Sequence, residues 1–201
     1  MPDFRCAAVV LGAGASTRLG QSKQKIQIGG ESLLHRTARL AMEAGCDPVC
    51  VVLGFEAEPM RFLLSGLDVD VVVNRNWQEG MGSSLRTGME AIRKAIPLVN
   101  SVLILVCDQP QLNADHLRRL RAHHQAAPAS ARVAVTASVY ARHAGVPAIF
   151  SSALFAELAA SGGDQGARDL IRAHAAEVQG IPWPEGEVDL DRPEDLSTIE
   201  R

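Results

Sequence analysis

The run Cys6-Ala-Ala-Val-Val-Leu11 is apolar without interruption and ends abruptly in Gly12-Ala-Gly-Ala-Ser-Thr-Arg-Leu-Gly-Gln-Ser-Lys23. An unbroken apolar run of that length suits a strand covered on both faces, so helices are needed on each side of the sheet that contains it. The stretch that follows cannot continue the core. Gly12, Gly14 and Gly20 allow close backbone approach, so successive N–H groups can converge on an anion, and Arg18 and Lys23 add charge that backbone dipoles lack. Taken alone, the loop fits a phosphate grip or a solvated surface turn equally well. The rest of the chain has to decide.

The strand, loop and helix pattern repeats. Residues 5–11, 48–53, 69–73, 102–106 and 132–137 read as strands, and 32–44, 58–64, 83–96 and 113–125 as helices, with a loop over 74–82. Beyond 137 the rhythm loosens into a short strand at 147–150, helices at 152–160 and 166–174, and a terminal helix at 193–199. Regular alternation predicts a three-layer, Rossmann-like α/β fold with a mostly parallel sheet between helices, read here as one domain over 1–201. Ligands of such folds bind where the strands end.

Composition excludes several classes. A net charge of −3 and no basic run interleaved with aromatics argue against nucleic-acid binding. No apolar segment reaches membrane-span length and the first residues lack a secretory pattern, so a cytoplasmic protein is expected, without membrane association. Cys6, Cys46, Cys50 and Cys107 fit that compartment as reduced thiols, and no second Cys/His pair stands near Cys46 and Cys50 to make a zinc site. His116, His123 and His124 share one polar helix and are expected to be solvated, which leaves His143 as the histidine nearest a substrate.

Spacing removes two known phosphate motifs. A dinucleotide fingerprint starting at Gly12 and Gly14 meets Thr17 where Gly or Ala is required, and a Walker loop fails because Gln21 follows Gly20. The residues that remain, Leu11, Gly14, Ser16, Arg18, Gly20 and Lys23, resemble the nucleotidyltransferase signature L-x-x-G-x-S-x-R-x-G-x-x-K. Further blocks follow in the family's order: Asn74-Arg-Asn-Trp-Gln-Glu-Gly-Met-Gly-Ser-Ser-Leu-Arg-Thr-Gly88, Cys107-Asp-Gln-Pro110, Gly145-Val-Pro-Ala-Ile-Phe150, Gly163-Asp-Gln-Gly-Ala-Arg168 and Asp189-Leu-Asp-Arg-Pro-Glu-Asp-Leu196. By these the chain resembles the MobA-like nucleotidyltransferases and is most similar to the molybdenum cofactor cytidylyltransferases among them.

The resemblance implies a reaction and assigns residues to it. CMP would pass from CTP to the terminal phosphate of a molybdopterin-type cofactor, with Mg²⁺ present and pyrophosphate released, and a molybdenum hydroxylase apoenzyme would be the partner. Leu11, Gly12, Ala13, Gly14, Ser16, Arg18 and Lys23 would hold the nucleotide, with Arg18, Lys23 and Asp108 catalytic. Gly82, Ser83 and Ser84 would face the base, although the two serines also suit a helix N-cap. Asp108, at the end of a strand, would hold Mg²⁺ with Asp191, for which Asp189 and Asp195 compete. Asp164 and Arg168 would contact the acceptor. Ala13 leans towards CTP, because GTP-using relatives carry a second glycine there. Gly12, Lys25-Ile26 and Val146 depart from the family pattern. They leave the reaction class intact and keep open another phosphorylated acceptor; GTP in place of CTP and a non-catalytic chaperone that inserts the cofactor are separate alternatives.

Overall fold

The computed structural model describes residues 4–95, with the Arg18 side chain excepted, 99–128, 133–190 and 194–195. Its strands are β1 (Cys6–Gly12), β2 (Gln27–Ile28), β3 (Glu31–Ser32), β4 (Val49–Leu53), β5 (Asp70–Val73), β6 (Ser101–Val106), β7 (Val135–Tyr140), β8 (His143–Ser151) and β9 (Val178–Pro182). The helices are α1 (Leu33–Glu43), α2 (Ala57–Phe62), α3 (Met81–Ala95), α4 (Ala114–Ala126), α5 (Phe155–Ala160) and α6 (Ala167–Ala173). The main sheet runs β5-β4-β1-β6-β8-β7-β9, while β2 and β3 form a separate small pair.

Alternation along the strands explains the layering. Cys6, Ala8 and Val10 face a core shared with Leu34, Ala38 and Ala41 of α1, Met60 of α2, and Leu117 and Leu120 of α4. Ala7 and Val9 face the other core, with Leu85, Met89 and Ile92 of α3, Leu158 of α5 and Ile171 of α6. Helices cover both faces, as residues apolar on two sides require. Gly88 sets the approach of α3, since a Cβ there would lie 2.5 Å from Val9 Cγ1.

Strands β5, β4, β1 and β6 are parallel, and β7 pairs parallel with β9. β8 runs against both β6 and β7. The chain leaves β1 towards β4 and returns on the other side to β6, so the C-terminal ends of β1 and β6 form the switch point where ligands bind in such sheets.

Several expected elements are corrected. The strand at 147–150 is longer and forms a hairpin with β7, whose turn places Ala141 at φ 47 and Arg142 at φ 65. Twist favours such primed turns, but no Asn-Gly pair announces this one. The strand expected at 132–137 occupies Val135–Tyr140. The helix expected from 83 begins at Met81, which puts Ser83 and Ser84 inside its first turn and not at its cap. The expected terminal helix at 193–199 lies outside the described residues except at 194–195.

The histidine expectation is also corrected. His116 is 2% exposed, stacks on Trp183 at 4.7 Å, and pairs through Nε2 with Ser138 Oγ at 2.7 Å. His124 is half-buried and pairs through Nδ1 with Thr136 Oγ1 at 2.9 Å, while His123 is exposed. Burial pushes the pKa of both paired rings down to about 4.

Candidate active site

A cleft of about 690 Å³ opens at the C-terminal edge of the parallel strands. One wall is the glycine loop. After β1 the chain bends through Ser16, held at φ 52, into a short 3-10 turn over Thr17–Leu19, and Ser16 Oγ accepts from Lys23 N at 3.2 Å. The carbonyls of Gly12, Ala13 and Gly14 are occupied. Gln24 Nε2 donates to Gly12 O at 2.9 Å and to Gly14 O at 2.8 Å, and Phe55 N donates to Ala13 O at 2.9 Å. The backbone N–H groups of Gly14, Ala15, Ser16 and Thr17 meet no acceptor among the described residues. Carbonyls tied back and donors left free make an electropositive loop.

Facing it is the end of β6. Register pairs Leu11 with Val106, which brings Cys107 and Asp108 beside the loop. Lys23 Nζ donates to Asp108 Oδ2 at 3.2 Å, with the two side chains 16% and 28% exposed, so both can still be reached from the cleft. Asp108 Oδ1 meets no donor among the described residues. Leu190 N donates to Asp108 O at 3.0 Å, and this contact holds the 188–190 segment against β6 and places Asp189 in the cleft wall. No group of three or more His, Cys, Asp or Glu side chains among the described residues could hold a metal by itself. The donors present are hard carboxylates, few in number, which fits a cation that keeps waters and takes further oxygens from a bound phosphate. Cys107 is no nucleophile here: burial, reinforced by the neighbouring Asp108 charge, drives its thiol pKa far up.

The opposite wall comes from the hairpin and the loop before α6. Tyr140 OH donates to Val146 O at 2.9 Å, and Gln109 Nε2 donates to the same carbonyl at 3.0 Å and lies 3.4 Å from the phenol oxygen. Burial raises the Tyr140 pKa, opposed by the nearby Arg168 guanidinium. Asp164 and Arg168 are exposed and line the cleft. Their loop docks on the start of α3, where Gly82 N donates to Gly163 O at 3.0 Å. At Gly82 a Cβ would lie 2.7 Å from both Gln165 O and Gly162 N, so only glycine permits backbone to meet backbone.

Most residues picked out in the sequence converge on this cleft. Leu11, Ala13, Gly14, Ser16, Lys23, Ser84, Asp108, Asp164 and Arg168 line it, as does Asp189. Gly12, Gly82 and Ser83 do not. Ser83 is 1% exposed, accepts from Asn74 Nδ2 at 2.8 Å and donates to Gly80 O at 2.8 Å, which makes it a brace for the loop. His143 is exposed on β8 and is not in the lining. Asp191 and the Arg18 side chain lie outside the described residues.

Two of the departures from the family pattern have packing explanations. A Cβ on Gly12 would lie 2.8 Å from Leu34 Cδ1, so glycine there makes room for the α1 leucine. Lys25 pairs with Glu56 at 2.6 Å on the surface, and Ile26 joins Leu19, Leu33 and Leu190 in a small apolar cluster. Only Val146 lines the cleft. Gln24, Gln109 and Tyr140 were not foreseen, because a lone Gln or Tyr carries no spacing signal.

A donor loop and an acidic strand end on either side of a topological switch point define a nucleotide-binding α/β transferase. The chain belongs to the MobA-like NTP transferase family, whose domain it matches over residues 8–178, and it is a nucleotidyltransferase. It is 30% identical to nicotine blue oxidoreductase of Paenarthrobacter nicotinovorans, over 99% of this chain and 96% of that protein. It is 29% identical to the purine catabolism protein PucB of Bacillus subtilis, over 96% and 95% of the two chains. Among solved structures it resembles Rv0371c of Mycobacterium tuberculosis, with a TM-score of 0.80 at 28% identity over 98% of this chain and 99% of that one. A manganese complex of Rv0371c superposes with a TM-score of 0.75, also at 28% identity, over 98% of each chain. No helix among the described residues is long and apolar enough to cross a membrane.

Proposed function

We propose that the protein transfers CMP from CTP to the terminal phosphate of molybdenum-bearing molybdopterin. A phosphate oxygen of the acceptor attacks the α-phosphorus, the bond to the β-phosphate breaks, and pyrophosphate leaves. The observation that carries this reading is the sorted polarity of the glycine loop opposite Asp108: free N–H groups for the triphosphate on one side, a carboxylate and Lys23 on the other.

Each group then has work suited to its chemistry. The N–H groups of the loop bind phosphate oxygens, and Lys23, with Arg18 by family resemblance, balances charge that gathers on the departing pyrophosphate. Asp108, together with Asp189 or Asp191, would hold Mg²⁺, which supplies charge neutralisation at the phosphates when bound. No general base is required, since a phosphate monoester is largely ionised near neutral pH. Arg168 and Asp164 would contact the acceptor, and Ser84 and Ala13 the base; all four line the cleft.

Pyrophosphate release from CTP, Mg²⁺ and the molybdenum-loaded acceptor tests the reading. Asp108→Asn should lower turnover by roughly a hundredfold or more, the scale of losing one preorganised electrostatic group, while the melting temperature stays near that of the parent. Near-normal turnover in that variant overturns the metal-ligand role, and equal turnover with GTP overturns the reading of Ala13. Val146 favours a second reading, transfer to a different phosphorylated acceptor, and the name of the Paenarthrobacter relative favours a third, nucleotide-dependent redox chemistry. A panel of phosphorylated acceptors with CTP, and an assay of NADH and NADPH oxidation, separate them.

A further inference from the structure

We infer that Gln24 is the positioning residue that sets the polarity of the phosphate loop, an inference that rests on the triphosphate-binding role proposed above. Gln24 is 4% exposed, between Lys23, which reaches Asp108 in the cleft, and the exposed Lys25. Its Nε2 spans two carbonyls, Gly12 O at 2.9 Å and Gly14 O at 2.8 Å. The amide has only one workable orientation. Turned over, it would set Oε1 against two acceptors, so Nε2 must face the loop. Oε1 is then left buried with no partner, a cost tolerated for the sake of the two donated bonds.

The consequence is electrostatic. A peptide carbonyl and the N–H of the next residue point in opposite directions, so drawing Gly12 O and Gly14 O back towards Gln24 aims the following amides away from it. Of the four free donors, the Ala15 N–H shares its peptide with the Gly14 carbonyl that Gln24 holds, and it stands inside the run from Gly14 to Thr17. Without the clamp the two carbonyls can swing towards the cleft, where each would repel a phosphate oxygen. Gln24 need not touch the substrate to govern its binding.

The test compares Gln24→Met, of similar length but with no donor, with Gln24→Glu, which sets a carboxylate against both carbonyls. Inorganic tripolyphosphate with Mg²⁺ is the first probe, because it reports the loop whatever base is used. Titration calorimetry should show its affinity and that of CTP reduced about tenfold in Gln24→Met, the scale of a lost hydrogen bond to a charged group, and further in Gln24→Glu. Amide resonances of Gly14 to Thr17 should shift on adding tripolyphosphate to the parent and barely move in the variants. The KM for the acceptor should stay unchanged, which a merely structural role would not produce. Parental affinity and parental amide shifts in Gln24→Met overturn the inference. So does an affinity loss matched by an equal rise in acceptor KM. If the parent binds no triphosphate at all, the functional reading fails first and the inference falls with it.

Discussion

Replacing Gly80 with alanine should separate the two loops that close the cleft. Gly80 adopts φ 108 and ψ 179, a conformation open essentially only to glycine, and the strain of any other residue there is about 1–3 kcal/mol. The added Cβ would also press into the Gly163 carbonyl oxygen and lie 2.6 Å from its carbon and 2.8 Å from Asp164 Oδ1. Backbone cannot yield as a flexible side chain does, so overpacking adds about 1–3 kcal/mol. Together the loss is about 2–6 kcal/mol, which at about 2–4 °C per kcal/mol for a chain of this size lowers Tm by roughly 4–24 °C. Gly163→Ala is the control: φ is 57 and nothing lies within 4 Å, so only left-handed strain of about 1–2 kcal/mol applies. Circular dichroism melts of both variants, with acceptor KM measured below each Tm, make the comparison. Gly80→Ala should also raise acceptor KM, since Asp164 and Arg168 ride on the displaced loop. A Gly80→Ala protein as stable as Gly163→Ala, with an unchanged acceptor KM, would refute the reasoning.

Two further outcomes are expected. Ser138 gives its own hydroxyl proton to Pro147 O at 2.7 Å, so His116 donates through Nε2 and is neutral in the folded state. With native pKa values of about 4 against an ordinary value near 6.5, His116 and His124 contribute stability that is complete above pH 6.5 and is lost as pH falls towards 4. Urea titrations should show unfolding free energy dropping by up to about 1.4 kcal/mol per pH unit per ring within that window, and a flat profile between pH 7 and 5 would contradict the assignment. Tyr140→Phe removes one donor to Val146 O and the neighbour of Arg168. It should cost about 1 kcal/mol in chemical denaturation and raise acceptor KM with the KM for CTP unaltered, whereas a rise in both would place Tyr140 elsewhere in the chemistry.

Uninterrupted apolar runs made β1, β4 and β6 legible in the sequence, and glycine punctuation located the loops at their ends. Direction was not legible. The apolar residues of β8 read the same whichever way the strand runs, and Ala141-Arg142 form its turn without the residues that usually mark one. β9, with Gly180 inside it and Pro182 at its end, looks like loop until β7 pairs with it. In the site, Lys23 and Asp108 were legible because charge next to glycine or at a strand end is uncommon without a purpose. His116 was misjudged because a helix polar in composition still buries one face, and this ring stacks on Trp183, far away in sequence. Gln24 was invisible for a different reason: its function lies in the backbone that it restrains.

The reversal of β8 ties part of one cleft wall into the main sheet. Its pairs with β6 run from Ser101↔Ser151 to Ile104↔Ala148, and β7 pairs with it on the other side. Beyond Ala148 the hairpin leaves β6, shifts register between Ala137 and Ser138, and stays paired with β7 through Ser138↔Gly145, Val139↔Ala144 and Tyr140↔His143, while Gln109, next to Asp108, ties down Val146 O. Bending this part outward would mean breaking sheet hydrogen bonds. The segment before α6, in the same wall, has no strand pairing and is held through glycine contacts at the start of α3. The cleft wall thus joins a part held by strand pairing to a part held only through glycine contacts.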